Sequence, residues 1–495
     1  MQALAHDVAR PPPAENSVPG RPQPRAAVLL RAVYLLAAVP LADVVLAQAQ
    51  ARLEINLGPL TLAQAFHGLL LVVFLAVIAG RSFLRIAEPV YPVAIAATFF
   101  GATIVLSAIA RGLGGGLSLE DVTNDLKVLY WPAAWMACMV LCRRPEDFRV
   151  ILGGLAVAGT YAAASVFAVY FLGIEELSPY EGIAASAGGL NTAKGLGGIL
   201  AVTGLVWIWL TYERRPWLGA AGFVICYVAL ALTYQRAGLV AGGAAALWLA
   251  AWRIFGAMPR QRRLGMRRGG CGDPPRTGLS CTGLSCVAVP RNWALRPVML
   301  SLVPILIVTF VLGATDMEKR WNDLWDADKA GSGRALFWQE AAAIHQQADL
   351  PGKVVGIGYG ALVDRMESRY GARIHSHSDV LDALVVYGVL GLIGWLAVYG
   401  AILRMILRRG LAWPVSAAAL AVFLVMALES VLTGQMFGPH VMSFYLLAIF
   451  GVCLGLPSRQ HVAQPPSAVS EQLFPSPPRA AVPHPGRSPA AGCHG

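Results

Sequence analysis

The sequence predicts an all-α integral membrane protein that crosses a bilayer with about twelve helices and leaves one long connection outside it, between the ninth and tenth. Three observations predict this. The 495-residue chain is 56% hydrophobic and only 14% charged. Its apolar stretches recur at roughly the 20-residue length that spans hydrocarbon. They are also apolar all round, whereas a soluble core of this size shows helices or strands with one polar face.

Taken in order, residues 1–25 are polar and proline-rich and predict a disordered N-terminus, with no cleavable signal peptide before the first apolar stretch. A transmembrane domain follows over 26–457. Its first span, 27–48, comes after Arg10, Arg21 and Arg25 and is long enough to stay in the membrane as an anchor; the second, 58–80, is followed by Arg81 and Arg85. Spans 89–110 and 127–142 come next, and Arg143 and Arg144 close the fourth. Spans 150–173 and 195–212 lead to Arg214 and Arg215. Spans 217–235 and 237–254 run into 255–296, the densest basic segment, with Arg260, Arg262, Arg263, Arg267 and Arg268. The ninth span, 297–314, precedes the long connection 315–379, and the tenth, 380–403, ends in Arg404, Arg408 and Arg409. Spans 411–433 and 437–457 complete the set, before a Pro/Ala/Ser-rich, low-complexity tail over 458–495.

With this count every one of these basic clusters falls on the same side. Lys and Arg in short loops resist translocation, so that side is expected to be the cytoplasm, with both termini on it and the protein multi-pass in the cytoplasmic membrane. The net charge of +11 follows from this bias together with attraction to anionic headgroups, so membrane lipids and not nucleic acid are the expected partners. Cys138, Cys142, Cys226 and Cys453 fall in or at the ends of apolar spans, and Cys271, Cys281 and Cys286 in the basic loop, so no disulfides are expected. The loop stretch CGDPPRTGLSCTGLSC has irregular cysteine spacing, no histidine and an internal TGLSC echo; it reads as a low-complexity insertion and not as a zinc site.

The long connection is where polar chemistry concentrates. GSGRALFWQEAAAIHQQ predicts a helix after Ser332 or Gly333, with Leu336, Ala341 and Ile344 on one face. GKVVGIGYGA predicts a glycine-punctuated turn leading back to the membrane; its spacing suits nucleotide loops, but no strand–turn–helix context surrounds it and ATP is absent outside the cell. RIHSHSD then places His375, His377 and Asp379 at the start of the tenth span.

Five motifs occur along the chain in order: GGLNTAKG around Asn191, LTYQRAG with Arg236, SGRALFW with Arg334 and Trp338, GIGYG at 356–360, and HSDVLDALVVYGVLGL with His377. In order and spacing they resemble the O-antigen ligase and O-antigen polymerase superfamily of polytopic glycosyltransferases. Those proteins carry an Arg at a Thr/Ser-rich helix end and a long outer loop opening on an Arg with a Trp one turn later. A G-x-G turn follows, then a His before a Leu- and Gly-rich helix. The resemblance spans roughly residues 30–455. The chain departs from the pattern at Ser378, where the family usually has Asn, and at Gln235, where Ser is common. The resemblance implies transfer of a glycan from a polyprenyl-diphosphate carrier to a hydroxyl acceptor, such as lipid A core, at the outer face of the membrane, as in lipopolysaccharide and other polysaccharide biosynthesis. It implies no cofactor and no ATP.

The residue types suit that reaction. The leaving group is a pyrophosphate, so cationic donors that pair with it lower the barrier, and Arg236 and Arg334 offer a permanent charge on a planar fork. Histidine, with an ordinary pKa near 6.5, is able to take the acceptor's proton at neutral pH, a role expected of His377. His375 is expected to be a hydrogen-bond neighbour or acceptor contact, and Asp379 an N-cap of the tenth helix. Trp338 and Asn191 enter as substrate contacts through the resemblance, and Lys127 as a weaker one, at the outer start of the fourth span. Glu429 and His440 read as ordinary interfacial polar residues. The matched positions hold no Asp/Glu pair of the kind a metal-bound phosphate requires, so no metal is expected.

Alternatives stay open. Within the superfamily, the growing glycan's own end as acceptor would make a polymerase, and a Ser or Thr side chain a protein O-oligosaccharyltransferase. A transporter of lipid-linked glycans would also have many helices, but should show mid-membrane ionisable groups and two related halves with broken helices. A non-catalytic scaffold would explain a long loop but not the order Arg, Arg, His.

Overall fold

The structure is a computed structural model that describes residues 24–53, 56–57, 60–80, 90–142, 144–172, 193–211, 215–233, 235–256, 334–408 and 414–454, all within one compact unit. The basic loop beyond 256, the ninth span 297–314, residues 315–333 of the long connection, the turn carrying Asn191 and the tail 458–495 lie outside the described residues.

The described chain is helical apart from one two-stranded hairpin, Asn56–Leu57 against Leu60–Thr61. In order the helices are α1 (Pro24–Leu53), α2 (Leu62–Ala79), α3 (Tyr91–Leu113), α4 (Leu119–Leu141), α5 (Pro145–Leu172), α6 (Ala193–Thr211), α7 (Pro216–Leu232) and α8 (Arg236–Gly256). After the undescribed segment come three short helices, α9 (Arg334–Gln347), α10 (Leu350–Val355) and α11 (Tyr359–Tyr370). Three long ones close the unit: α12 (Asp379–Arg408), α13 (Pro414–Leu432) and α14 (Pro439–Leu454). Among the described residues five helices are long and apolar enough to cross a membrane, Leu62–Ala79, Tyr91–Leu113, Pro145–Val169, Asp379–Arg408 and Val415–Leu432. The apolar helices Gly195–Leu210, Trp217–Leu232, Ala237–Trp252 and Val441–Leu454 are shorter.

Local chemistry sets several helix starts. Thr61 Oγ1 accepts from Gln64 N at 3.2 Å while Gln64 Oε1 accepts from Thr61 N at 2.8 Å, a reciprocal cap on α2. Ser118 and Asp121 repeat the arrangement on α4 at 3.0 and 3.1 Å. Small residues let backbones approach: a Cβ at Gly154 would sit 2.0 Å from Ala37 O, which is why α5 lies directly on α1. The aromatic cluster Phe100, Trp131 and Trp395, with centroids 5.5 to 5.8 Å apart, joins α3, α4 and α12.

The segment after residue 334 forms a layer of short helices seated on α3, α4 and α12. The helix expected after Gly333 is α9, but its inner face is Phe337, Ala341 and Ile344; Leu336 points outward with 53% exposure, because α9 packs along α12 and α11 from the other side. The GIGYG stretch is the hinge of the layer. Ile357 N and Gly358 N donate to Val385 O and Val386 O of α12 at 3.0 and 3.2 Å. Those carbonyls are available because α12 is broken at Gly388 (φ 70°, ψ −169°), a conformation open to glycine alone. The contact is tight on both sides, since a Cβ at Gly388 would lie 2.3 Å from Val354 O and one at Gly356 2.1 Å from Val386 O.

A buried ion network locks this hinge to the bundle. Arg111, at the end of α3, places Nη1 2.8 Å from Asp121 Oδ1 and Nη2 2.6 Å from Asp125 Oδ2. Asp121 Oδ1 also accepts from Gly360 N at 2.9 Å, and Tyr387 Oη donates to Asp125 Oδ1 at 3.0 Å. Burial works against the charge on Asp121, but the hydrogen bonds from Ser118 and Gly360 and the Arg111 charge outweigh it and hold its pKa below the usual carboxylate value.

Candidate functional site

The site forms where the turn 371–378 enters α12. Asp382, in the first turn of α12, is fully buried and gathers the turn around its carboxylate. Its Oδ1 accepts from Ser376 N at 3.1 Å and Ser376 Oγ at 2.7 Å, and its Oδ2 lies 2.7 Å from His375 Nδ1. The turn is therefore wound about one acid, and the wrapping forces the next residue, His377, to positive φ (58°), the one non-glycine in that region among the described residues.

The imidazoles of His375 and His377 meet edge to face with centroids 4.4 Å apart. Aromatic rings enclose them from three elements: Phe337 of α9 stands 6.0 Å from His377, while Tyr359 of α11 and Phe437 after α13 stand 6.5 and 6.0 Å from His375. Burial pushes the Tyr359 phenol upward, and the nearby Asp382 carboxylate adds to that, so the hydroxyl stays protonated at any physiological pH. The connection 433–438, which carries Phe437, also closes on the pair through its backbone. Gly434 (φ 65°) lies so near that a Cβ there would sit 3.1 Å from His375 Cε1 and 3.0 Å from the His377 carbonyl carbon.

Asp379 does not cap α12 as the sequence suggested. It is the helix's first residue, fully buried, and its Oδ1 accepts from Met436 N at 2.6 Å, which ties the 433–438 connection to the histidine turn. Glu429 is likewise no interfacial residue. It is fully buried near the end of α13, where its Oε2 accepts from Thr433 Oγ1 at 2.7 Å and Gln435 Nε2 at 3.2 Å. The signal for Glu429 was available in the chain, since an acid inside a membrane-length apolar run is costly unless it has work to do.

Arg334 is the first residue of α9, and its Nη1 donates to Leu432 O at the end of α13. The guanidinium also attracts the Glu429 carboxylate. One helical turn on, Phe337 touches His377, so Arg334 and the histidine pair share α9 and the 433–438 connection as walls. Arg236 begins α8, which packs on α13, and a Cβ at Gly238 would lie 3.2 Å from Glu429 Oε1; the Arg236 side chain lies outside the described residues. Trp338 has its Nε1 buried without a hydrogen-bond partner among the described residues. Lys127 donates from Nζ to Asn124 Oδ1 at 3.0 Å on its own helix, α4, and no contact joins it to the histidines among the described residues. Asn191 and the His440 side chain lie outside the described residues. Among the described residues no three His, Cys, Asp or Glu side chains converge as metal ligands.

Beyond the histidines, Arg373 forms an exposed clasp, with Nη2 2.5 Å from Glu120 Oε2 and Nη1 2.9 Å from both Asp364 Oδ1 and Glu367 Oε2. It fastens α11 to the start of α4 beside the site. No family model matches the chain, and no curated protein matches it significantly.

Proposed function

We propose that this protein transfers a glycan from a polyprenyl-diphosphate carrier to a hydroxyl acceptor at the outer face of the cytoplasmic membrane, as in O-antigen ligation to lipid A core. The observation that carries the reading is convergence. Three stretches far apart in sequence, opening at Arg236, Arg334 and His375, meet around the end of α13. The Arg334 stretch brings a guanidinium and the His375 stretch a pair of half-buried imidazoles enclosed by aromatic rings, while the helix that opens at Arg236 packs on α13.

That set answers the demands of the reaction. The donor's diphosphate is already charged, so a guanidinium beside it binds the ground state and stabilises the charge that grows on the bridging oxygen as the glycosidic bond breaks. An imidazole of the pair takes the proton of the incoming hydroxyl. Tyr359, Phe437 and Phe337 supply apolar faces of the kind on which sugar rings stack, and they keep bulk water from the pair. Twelve spans, with both termini cytoplasmic, put this end of α12 outside the cytoplasm, where lipid-linked glycans are consumed.

The test is direct. The purified full-length protein in proteoliposomes, given polyprenyl-diphosphate glycan and a hydroxyl acceptor without ATP, should release polyprenyl diphosphate and form a glycosylated acceptor. Parallel arms with lipid A core, a growing glycan and a Ser/Thr peptide assign the acceptor. Donor that crosses the membrane unbroken would overturn the reading in favour of a transporter.

A further inference from the structure

Of the two imidazoles, His375 has a feature that glycan transfer as proposed above leaves unassigned: a buried carboxylate behind it. Asp382 has no exposure, and its Oδ1 accepts from two donors of Ser376, which leaves Oδ2 to face His375. His375 Nδ1 lies 2.7 Å from Oδ2, and an ionised carboxylate at that distance favours the tautomer in which Nδ1–H donates to it. His377 N also points at this nitrogen, at 3.3 Å. A protonated Nδ1 cannot accept, and the shorter, charge-assisted bond decides the tautomer, so that approach is a contact only. Nε2 is then left with its lone pair on the side of the ring away from Asp382. The ring is fixed in plane by Tyr359, Phe437, His377 and the tight approach of Gly434, and it keeps 20% of its surface open.

We propose that His375 is the proton acceptor of the transfer and that Asp382 is its positioning residue, holding the Nδ1–H tautomer so that Nε2 faces the acceptor hydroxyl. This rests on the glycosyl-transfer reading. In the step, the acceptor oxygen forms a bond to the anomeric carbon as the bond from that carbon to the diphosphate oxygen breaks. The diphosphate leaves with the electron pair, and the hydroxyl proton passes to His375 Nε2. The imidazolium so formed is stabilised by Asp382 until the proton returns to water or to the departed diphosphate. His377, held at positive φ against Phe337, is placed to contact substrate beside it. The titratable and charged groups around His375 are Asp382 and Asp379 of α12, Tyr359 of α11, His377 and Arg373 of its own turn, Glu120 of α4 beyond Arg373, and Arg334 and Glu429 on the α9 and α13 side.

The test is steady-state kinetics of reconstituted full-length protein across the ordinary imidazole range, about pH 6 to 8. Asp382→Asn keeps the shape and an acceptor for Ser376 but presents an amide to His375, favouring the opposite tautomer. It should lower kcat on the order of a hundredfold with KM for the lipid donor within about threefold, and His375→Ala should add little further loss to it. Because Asp382→Asn could fail to fold, a second pair reads the base without touching the acid: His375→Asn should abolish the rise of rate with pH, and His377→Asn should retain it. A wild-type kcat and pH profile in Asp382→Asn, or a pH rise lost in His377→Asn and kept in His375→Asn, overturns the assignment while glycosyl transfer stands. A wild-type protein that releases no polyprenyl diphosphate overturns the glycosyl-transfer reading and this proposal with it.

Discussion

His377 carries the site's backbone strain. A side chain at φ 58° costs roughly 1–2 kcal/mol relative to the right-handed region, and the cost is borne because the turn is wound about Asp382 and clasped by Gly434. Alanine keeps the Cβ and therefore the strain, while losing the ring contacts with His375 and Phe337. Glycine loses the same contacts and releases the strain. His377→Gly should therefore unfold at higher denaturing stress than His377→Ala, by about 1 kcal/mol in detergent unfolding experiments, although both lack the imidazole. Asp121 supports the opposite face of the layer. Its pKa is depressed in the folded protein, so its contribution is fully present above the unfolded carboxylate value and is lost as pH falls through the lower, folded one. Asp121→Asn should reduce stability at neutral pH and flatten the loss of stability below about pH 4, which an acid titration of unfolding midpoints would show; an unchanged acid limb would remove Asp121 from the hinge.

The element that organises the site is the broken helix α12, and the break was invisible to hydrophobic length. VVYGVLGL reads as a continuous apolar run, and nothing in its composition says that Gly388 leaves the helix so that Val385 and Val386 present carbonyls to the GIGYG turn. Periodicity reports which residues are apolar; it does not report which carbonyl has a partner from thirty residues upstream. Substitution separates the two kinds of glycine. Gly388→Ala must place a Cβ 2.3 Å from Val354 O in a conformation reserved for glycine, and should cost about 3 kcal/mol or more and loosen the α9–α11 layer to protease. Gly400, on the same helix with open space around it, should gain about 0.5–1 kcal/mol on change to alanine. Equal effects at the two positions would mean that the break is not a structural requirement.

At the scale of the molecule, the apolar lengths that make the helices were legible because a bilayer demands them. The membrane-length helices among the described residues fall where the sequence put them, within a few residues except at the longer ends of α1, α4, α5 and α12, whereas α10 and α11 flank glycines in a stretch the sequence read only as a turn. The convergence of acids was not legible, because Asp382, Asp379 and Glu429 each look isolated until the turn 371–378 and the connection 433–438 fold against each other. Charge along α12 predicts an orientation that does not depend on counting spans, which matters because 297–314 lies outside the described residues. Residues 389–408 of α12 reach about 30 Å, the thickness of the hydrocarbon, so this helix is long enough to place its two ends on opposite sides of a membrane. Its far end carries Arg404 and Arg408, both exposed. At the near end Arg111 is matched by Asp121 and Asp125, and Arg373 by Glu120, Asp364 and Glu367, so little uncompensated positive charge remains there to resist translocation. A phosphatase fusion after Gly371 should therefore be active, as only an extracytoplasmic fusion is, and a fluorescent-protein fusion after Arg408 should glow, as only a cytoplasmic one does. Both reporters reading the same side would show that α12 does not cross. A cytoplasmic reading at Gly371 alone would put His375, His377 and Arg334 beyond the reach of an outer-leaflet glycan donor.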